Sequence, residues 1–150
     1  MLNRKKESMQ CQVKTNNRPT KSPFVLSNSN SLADYFREIW DPNLLQKKQQ
    51  FYAMFFNSKD KFICCRLLST GDKTGYLADV NNLALVTLQC NAEYVVIAHN
   101  NPKCILKPSL YDLAITRKIS AVMKLLKVTL IDHVILTPKA HITFDQLLLM

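Results

Sequence analysis

The chain has 150 residues, 47% of them hydrophobic, and a formal net charge of +9. That length suits one compact domain with a tail, and that composition can bury a real core. No apolar run reaches the roughly 18–20 residues that span a bilayer, and the opening "MLNRKKESMQ" lacks the apolar stretch of a secretory signal, so the expectation is a soluble cytoplasmic protein with no membrane partner.

Residues 1–27 carry Arg4, Lys5, Lys6, Lys14, Arg18 and Lys21 against Glu7 alone, with no apolar period. They read as a disordered basic tail ahead of a domain over residues 28–150. Such a tail holds nucleic acid or acidic partners through nonspecific electrostatics, or serves only solubility. No aromatic residue precedes Phe24, which counts against base stacking. "NSNSLADYFREIW" then predicts a helix capped by Asn30 or Ser31, with Leu32, Tyr35, Phe36 and Ile39 on one face. Asp41-Pro42 ends it, because a residue before proline avoids the helical region. "QFYAMFFN" and "FICCRLLS", joined by "SKDK", predict an antiparallel hairpin. "TGDKTG" is a loop, with a short extended piece at residues 76–79. Asp79 caps a helix that contains Leu83, Leu85, Val86 and Leu88 and ends near Asn91.

"EYVVIAH" is apolar without alternation, the mark of a central strand covered on both faces. A loop over residues 100–108 leads to a helix from Ser109 to about Lys127, with Leu113, Ile119, Val122, Met123 and Leu126 on its apolar face. "VTLIDHVILT" is a further strand, and "HITF" pairs with it or closes the sheet. Helices between strands at this spacing predict an α/β layered domain with a mixed sheet flanked by helices. The two glycines, Gly71 and Gly75, leave the turns to Asn, Asp and Pro.

Five cysteines occur, Cys11, Cys64, Cys65, Cys90 and Cys104, without a CxxC spacing. An odd count without that spacing is neither a disulfide framework nor a cysteine zinc site. Cys64 and Cys65 point to opposite faces of their strand. Free thiols packed as small hydrophobes are the default reading. No Gly-x-Ser-x-Gly elbow and no glycine-rich phosphate loop is present.

A hydrolytic zinc centre needs three N or O ligands and an open position for water. Residues at i and i+2 of a strand end point to one side, and positions 99 and 101 meet that condition. Asp112, in the first turn of the next helix, can close the triangle. The same residues have plainer readings. His99 can be a strand-end histidine hydrogen-bonded to Asp112. Ser109 and Asp112 form S-x-x-D after a proline, which is capping-box spacing. Asp112 is also favoured there by the helix dipole. His133 reads as a structural, hydrogen-bonded histidine, facing away from its neighbour Asp132. His141 follows a turn and reads as exposed.

The run His99, Asn100, Asn101, seven residues, Ser109, two residues, Asp112 resembles the His-x-His…Ser-x-x-Asp signature of JAB/MPN-domain metalloproteins. The closer resemblance is to the bacterial RadC-like branch, whose motif is like "HNHPSG…PS..D...T"; this chain has "HNNPKC…PSLYDLAIT". "FFNSKDKFI", "LLSTGDKTGYLAD", "LIDHVIL" and "ITFDQLLLM" are similar to further family segments, so the likeness covers roughly residues 31–150. The helix-hairpin-helix segment of longer members is not evident. The resemblance implies a cytidine deaminase-like layered domain. It also implies a zinc held by two histidines and the aspartate, an upstream glutamate as general base, and a serine that steadies the water and oxyanion. The implied chemistry is peptide or isopeptide hydrolysis, in a family historically linked to DNA repair.

Carried over, the matches are His99, Ser109 and Asp112. The second ligand position holds Asn101, and the base position, two before Phe51, holds Gln49. A carboxamide is a far weaker zinc donor than imidazole. Glutamine cannot take a proton from zinc-bound water near neutral pH. Lys103-Cys104 replaces Ser-Gly in the adjoining loop, and the Cys104 thiolate is a candidate replacement ligand or simply a loop thiol. The expectation is a degenerate member with weak or no catalysis, either kept for an unidentified protein or peptide partner or a decaying paralogue with no firm role. The alternatives are an active zinc metalloprotease with a non-standard third ligand, and a nucleic-acid-associated accessory protein that uses the basic tail.

Overall fold

The computed structural model describes residues 26, 28–71 and 78–150. The expected basic tail, apart from Leu26, and most of the expected loop and extended piece before Asp79 lie outside the described residues. The described elements are helices α1 (Ser29–Ile39), α2 (Pro42–Leu45), α3 (Val80–Gln89) and α4 (Leu110–Leu125), and strands β1 (Gln50–Phe56), β2 (Phe62–Thr70), β3 (Tyr94–Asn100), β4 (Thr129–Leu136) and β5 (His141–Thr143). The strands form one mixed sheet in the order β2-β1-β3-β4-β5. Only β3 and β4 pair in parallel, and α4 makes the crossover between them. The α/β layered domain with a flanked mixed sheet is the fold that the sequence predicts. None of the described helices is long and apolar enough to cross a membrane.

Strand alternation divides the core into two layers. Phe51, Ala53, Phe55, Val95 and Ile97 face α3 and α4, where they meet Leu83, Val86, Ile115, Ile119 and Met123. Met54, Phe56, Val96, Ala98, Val134 and Leu136 face α1 and meet Leu32, Phe36 and Trp40. β3 lies between β1 and β4 and is buried on both faces from Val95 to Asn100, which is why its sequence shows no alternation. Cys64 and Cys65 go to opposite layers, as expected.

Several boundaries and faces differ from the sequence reading. Asn28, not Asn30 or Ser31, caps α1, accepting from the backbone N–H groups of Asn30 and Ser31. Ile39 falls at the rim while Trp40, one residue on, is buried. Trp40 closes α1 in extended backbone, and Asp41 caps the unforeseen α2, with Pro42 at its first turn. Leu85 and Leu88 of α3 are exposed, and Thr87 takes the inner face by donating its hydroxyl to the Leu83 carbonyl. With glycine scarce, left-handed backbone falls to other residues. Asn91 (φ 51°) and Lys127 (φ 57°) terminate α3 and α4. Behind them the Ala92 and Val128 N–H groups reach back to the Thr87 and Met123 carbonyls, which is a Schellman closure.

Asn100 joins the end of β3 to the segment that delivers β1. It is completely buried. Its amide donates to the Leu45 and Lys48 carbonyls at 2.8 and 2.7 Å, and its oxygen accepts from the Gln50 N–H at 2.6 Å. Replacing Asn100 with Ala leaves these groups in a dry site, at about 1–3 kcal/mol for each one stranded. Urea denaturation of Asn100→Ala should show a loss of at least about 2 kcal/mol. A loss below about 0.5 kcal/mol would mean that water replaces the amide without cost.

Candidate functional site

The site lies at the end of β3 on the α4 face. His99 and His133 are carried by the parallel neighbours β3 and β4, where Ile97 pairs with His133 and His99 with Ile135. Both rings are buried, His99 at 2% exposure and His133 at none. His99 Nδ1 lies 2.8 Å from His133 Nε2, and His133 Nδ1 lies 2.6 Å from Thr116 Oγ1. The Thr116 hydroxyl in turn donates to the Asp112 carbonyl at 2.6 Å.

This chain of contacts fixes the tautomers. A carbonyl only accepts, so the Thr116 proton goes to Asp112 and Thr116 Oγ1 accepts from His133 Nδ1–H. Burial, and secondarily the neighbouring His99, hold His133 well below the usual histidine range, so its ring is neutral and its Nε2 accepts. His99 Nδ1 is then the donor, and the lone pair on His99 Nε2 is turned to Asp112 Oδ1, 3.5 Å away. Burial lowers His99 to about 4, against the opposing pull of the Asp112 carboxylate. Phe144 stacks on the His133 ring at 4.5 Å and Phe51 meets it edge-on at 6.3 Å, which fixes its plane.

Asp112 has two tasks. Its Oδ2 accepts from the Ser109 N–H and the Ser109 hydroxyl, both at 2.7 Å, while Ser109 Oγ accepts from the Asp112 N–H at 3.1 Å. That is a complete capping box on α4. Its other oxygen, Oδ1, faces His99.

The two substituted positions behave differently. Asn101 lies just past the end of β3, and its side chain folds back on its own loop. Its oxygen accepts from the Lys103 N–H and its amide donates to the Ile105 carbonyl, both at 3.0 Å. Gln49 immediately precedes β1, and its carbonyl accepts from the Gly71 N–H. β1 pairs antiparallel with β3 through Phe51 and His99. Gln50 points to the other layer, where its Nε2 donates to Thr70 Oγ1 at 3.3 Å. Cys104 is exposed, in left-handed backbone (φ 58°), with its thiol 3.8 Å from the Pro102 carbonyl. Among the described residues, no three His, Cys, Asp or Glu side chains form a group able to hold a metal ion.

Sequence reasoning brings His99, Ser109 and Asp112 together correctly. It pairs His99 with Asp112 alone, whereas His99 lies closer to His133, at 2.8 Å against 3.5 Å for Asp112. It misses Thr116, although the four-residue step from Asp112 on a helix was a usable signal. It also passes over Asn100. His133 is structural and hydrogen-bonded, as expected, and Asp132 on the opposite face binds Ser29 and the Asp145 N–H. His141 is half-buried rather than exposed, with its Nε2 3.0 Å from Asn30 Oδ1.

The buried neutral histidines set an acid limit. A histidine held below its unfolded value binds its proton later in the folded state than in the unfolded state. Between about 6.5 and about 4 for His99, the unfolded chain therefore holds more protons, and stability falls as pH falls through that window. His133 adds in the same direction. Asp132, raised by burial, opposes them, because its folded form keeps a proton longer as pH rises. The melting temperature, measured with chelator, should drop from pH 6.5 to pH 4, and His133→Gln should flatten the drop. A wild-type curve without slope in that window would contradict the neutral His99–His133 pair.

A family model described as the RadC-like JAB domain matches residues 26–149. The chain is 35% identical over 131 residues to the UPF0758 protein NMB1038 of Neisseria meningitidis serogroup B, covering 85% of this chain and 55% of that protein. It is 32% identical over 96 residues to a UPF0758 protein of Flavobacterium johnsoniae, covering 64% of this chain and 42% of that one. It is 27% identical over 101 residues to the UPF0758 protein PBPRA0202 of Photobacterium profundum, covering 67% and 45%. The chain thus spans about half the length of the curated relatives it matches. With the mixed sheet and the His99–Asp112 constellation beside these matches, the chain belongs to the RadC-like JAB domain family.

Proposed function

We propose that this chain is a RadC-like JAB domain with weak or no hydrolytic activity, whose fold serves to bind a protein or peptide partner. The observation that carries the reading is the Asn101 side chain, folded into its own loop at the position of a ligand histidine. His99 Nε2 and Asp112 Oδ1 converge, but two donors do not make the three-ligand site of a catalytic zinc. The donor set therefore does not fit the metal that the family resemblance implies, and no hydrolytic step runs through it. Gln49, at the position of the general base, adds a second loss, since an amide cannot take a proton from a zinc-bound water near neutral pH. Reintroducing a ligand alone would leave the water without a base.

The binding half of the reading is supported by the rim of the same site. Ile105, Leu110 and Tyr111 are exposed along the loop and the first turn of α4, at 53%, 86% and 41%. Apolar side chains beside a strand end suit an extended peptide better than a compact polar ligand.

The test is zinc per chain, by elemental analysis of protein purified without chelator, alongside hydrolysis of peptide and isopeptide substrates. The wild type should carry zinc well below stoichiometry and show no turnover. Asn101→His with Gln49→Glu should raise zinc content to near one per chain, since a third ligand, and a second imidazole, adds several orders of magnitude in affinity. Stoichiometric zinc in the wild type that disappears in His99→Ala would overturn the inactive reading in favour of a metalloprotease with a non-standard ligand such as Cys104.

A further inference from the structure

Cys64 and Cys90 come from different elements and meet. Cys64 is on β2, opposite Phe55 of β1, and is buried in the layer under α3. Cys90 is the C-terminal cap of α3 and is partly exposed. Their sulfurs are 3.4 Å apart, a contact distance that side-chain rotation can close to the roughly 2.0 Å of a disulfide. The other described thiols are placed elsewhere. Cys65 faces the α1 layer, and Cys104 is in the exposed loop after β3. No metal-binding group of three includes them among the described residues, and two thiols in contact can serve as a redox pair.

We propose that Cys64 and Cys90 form a dithiol site that a small hydroperoxide oxidises reversibly to a disulfide. The partly exposed Cys90 is the sulfur that meets the oxidant. Its thiolate attacks the terminal peroxide oxygen, the O–O bond breaks, and hydroxide (from hydrogen peroxide) or alkoxide (from an alkyl hydroperoxide) leaves and takes a proton, so Cys90 becomes a sulfenic acid. The Cys64 sulfur then attacks the Cys90 sulfur. The S–O bond breaks, water leaves, and the S–S bond forms. For hydrogen peroxide the sum is two thiols oxidised, one peroxide reduced and two waters released. Burial protects the Cys64 sulfur from direct oxidation and keeps it poised to resolve the intermediate before a second peroxide arrives.

The bond would fasten the end of α3 to β2. α3 has two exposed leucines on its outer side, and it is held to the sheet by Leu83, Val86 and Thr87. A covalent link at its C-terminus limits its opening from the sheet and shortens the free chain of the unfolded state.

The full-length protein, reduced and then titrated with hydrogen peroxide, supplies the test. Peptide mapping by mass spectrometry should find Cys64 joined to Cys90 with the loss of two hydrogens, reversed by dithiothreitol. The oxidised protein should melt several degrees higher, and amide exchange over residues 80–90 should slow. Cys104→Ser should change none of this. Cys64→Ala should stop at a Cys90 sulfenic acid that dimedone traps. The proposal fails if Cys64 and Cys90 both stay open to alkylation, after denaturation, at a peroxide level that oxidises Cys104. It fails equally if the cross-link joins either of them to Cys11, Cys65 or Cys104. The wild-type map decides the question even if Cys64→Ala does not fold.

Discussion

The end of the sheet depends on one buried hydrogen bond, between His99 Nδ1 and His133 Nε2. It joins the two parallel strands on their inner face, below the helix that crosses between them. Parallel strands need such a crossover, and nothing in a local hairpin fixes their register. Here two polar rings in a dry layer do part of that work. Each is satisfied only when β3, β4 and α4 are all in place, because His133 also needs Thr116, and Thr116 needs the Asp112 carbonyl. A slip of either strand by one residue would turn its own ring to the α1 face and strand the other.

Three consecutive letters, His99-Asn100-Asn101, are read by three different environments. His99 turns into the α4 layer. Asn100 turns the opposite way and holds the α2–β1 link by three hydrogen bonds. Asn101 leaves the strand and closes its own loop. The i, i+2 rule places residues 99 and 101 on one side only while the backbone stays extended, and β3 ends at Asn100. The side chain at 101 therefore obeys its local hydrogen bonds rather than the strand. An asparagine amide is well suited to that, since it bonds nearby backbone groups as a turn does.

What the sequence made legible follows from the range of each cause. The strands, the hairpin and the caps at Asp79 and Ser109 are signalled by neighbours in the chain, and they are where the spacing puts them. The continuous apolar run of β3 announces its central place. The capping box survives intact because it is written in four consecutive residues. By contrast, the faces of α3 depend on where the sheet presses, so Leu85 and Leu88 come out exposed although they are apolar. α2 was hidden because Asp41-Pro42 signals a stop and a start equally well. The relay through Thr116 and His133 joins residues 17 positions apart on two elements. No local pattern announces such a contact, and only the crossover brings it about.

The positions that match the family motif and those that depart from it are separated by a physical difference. Asp112 closes the helix cap with Oδ2 while Oδ1 faces His99. Ser109 is the other half of that cap. His99 is one end of the buried relay. Each of these three residues holds structure whether or not any reaction is run. Removing His99 or Asp112 leaves a partner in a buried site, at about 1–3 kcal/mol, and removing Ser109 costs the cap, about 0.5–2 kcal/mol. Positions 101 and 49 have no such second task in the core. Asn101 is outside the strand, and Gln49 comes before β1 and contributes its carbonyl to Gly71. The kept residues are therefore weak witnesses to catalysis, since stability alone accounts for them. The positions that bear on the proposed reading are the other two, Asn101 and Gln49, which both carry an amide.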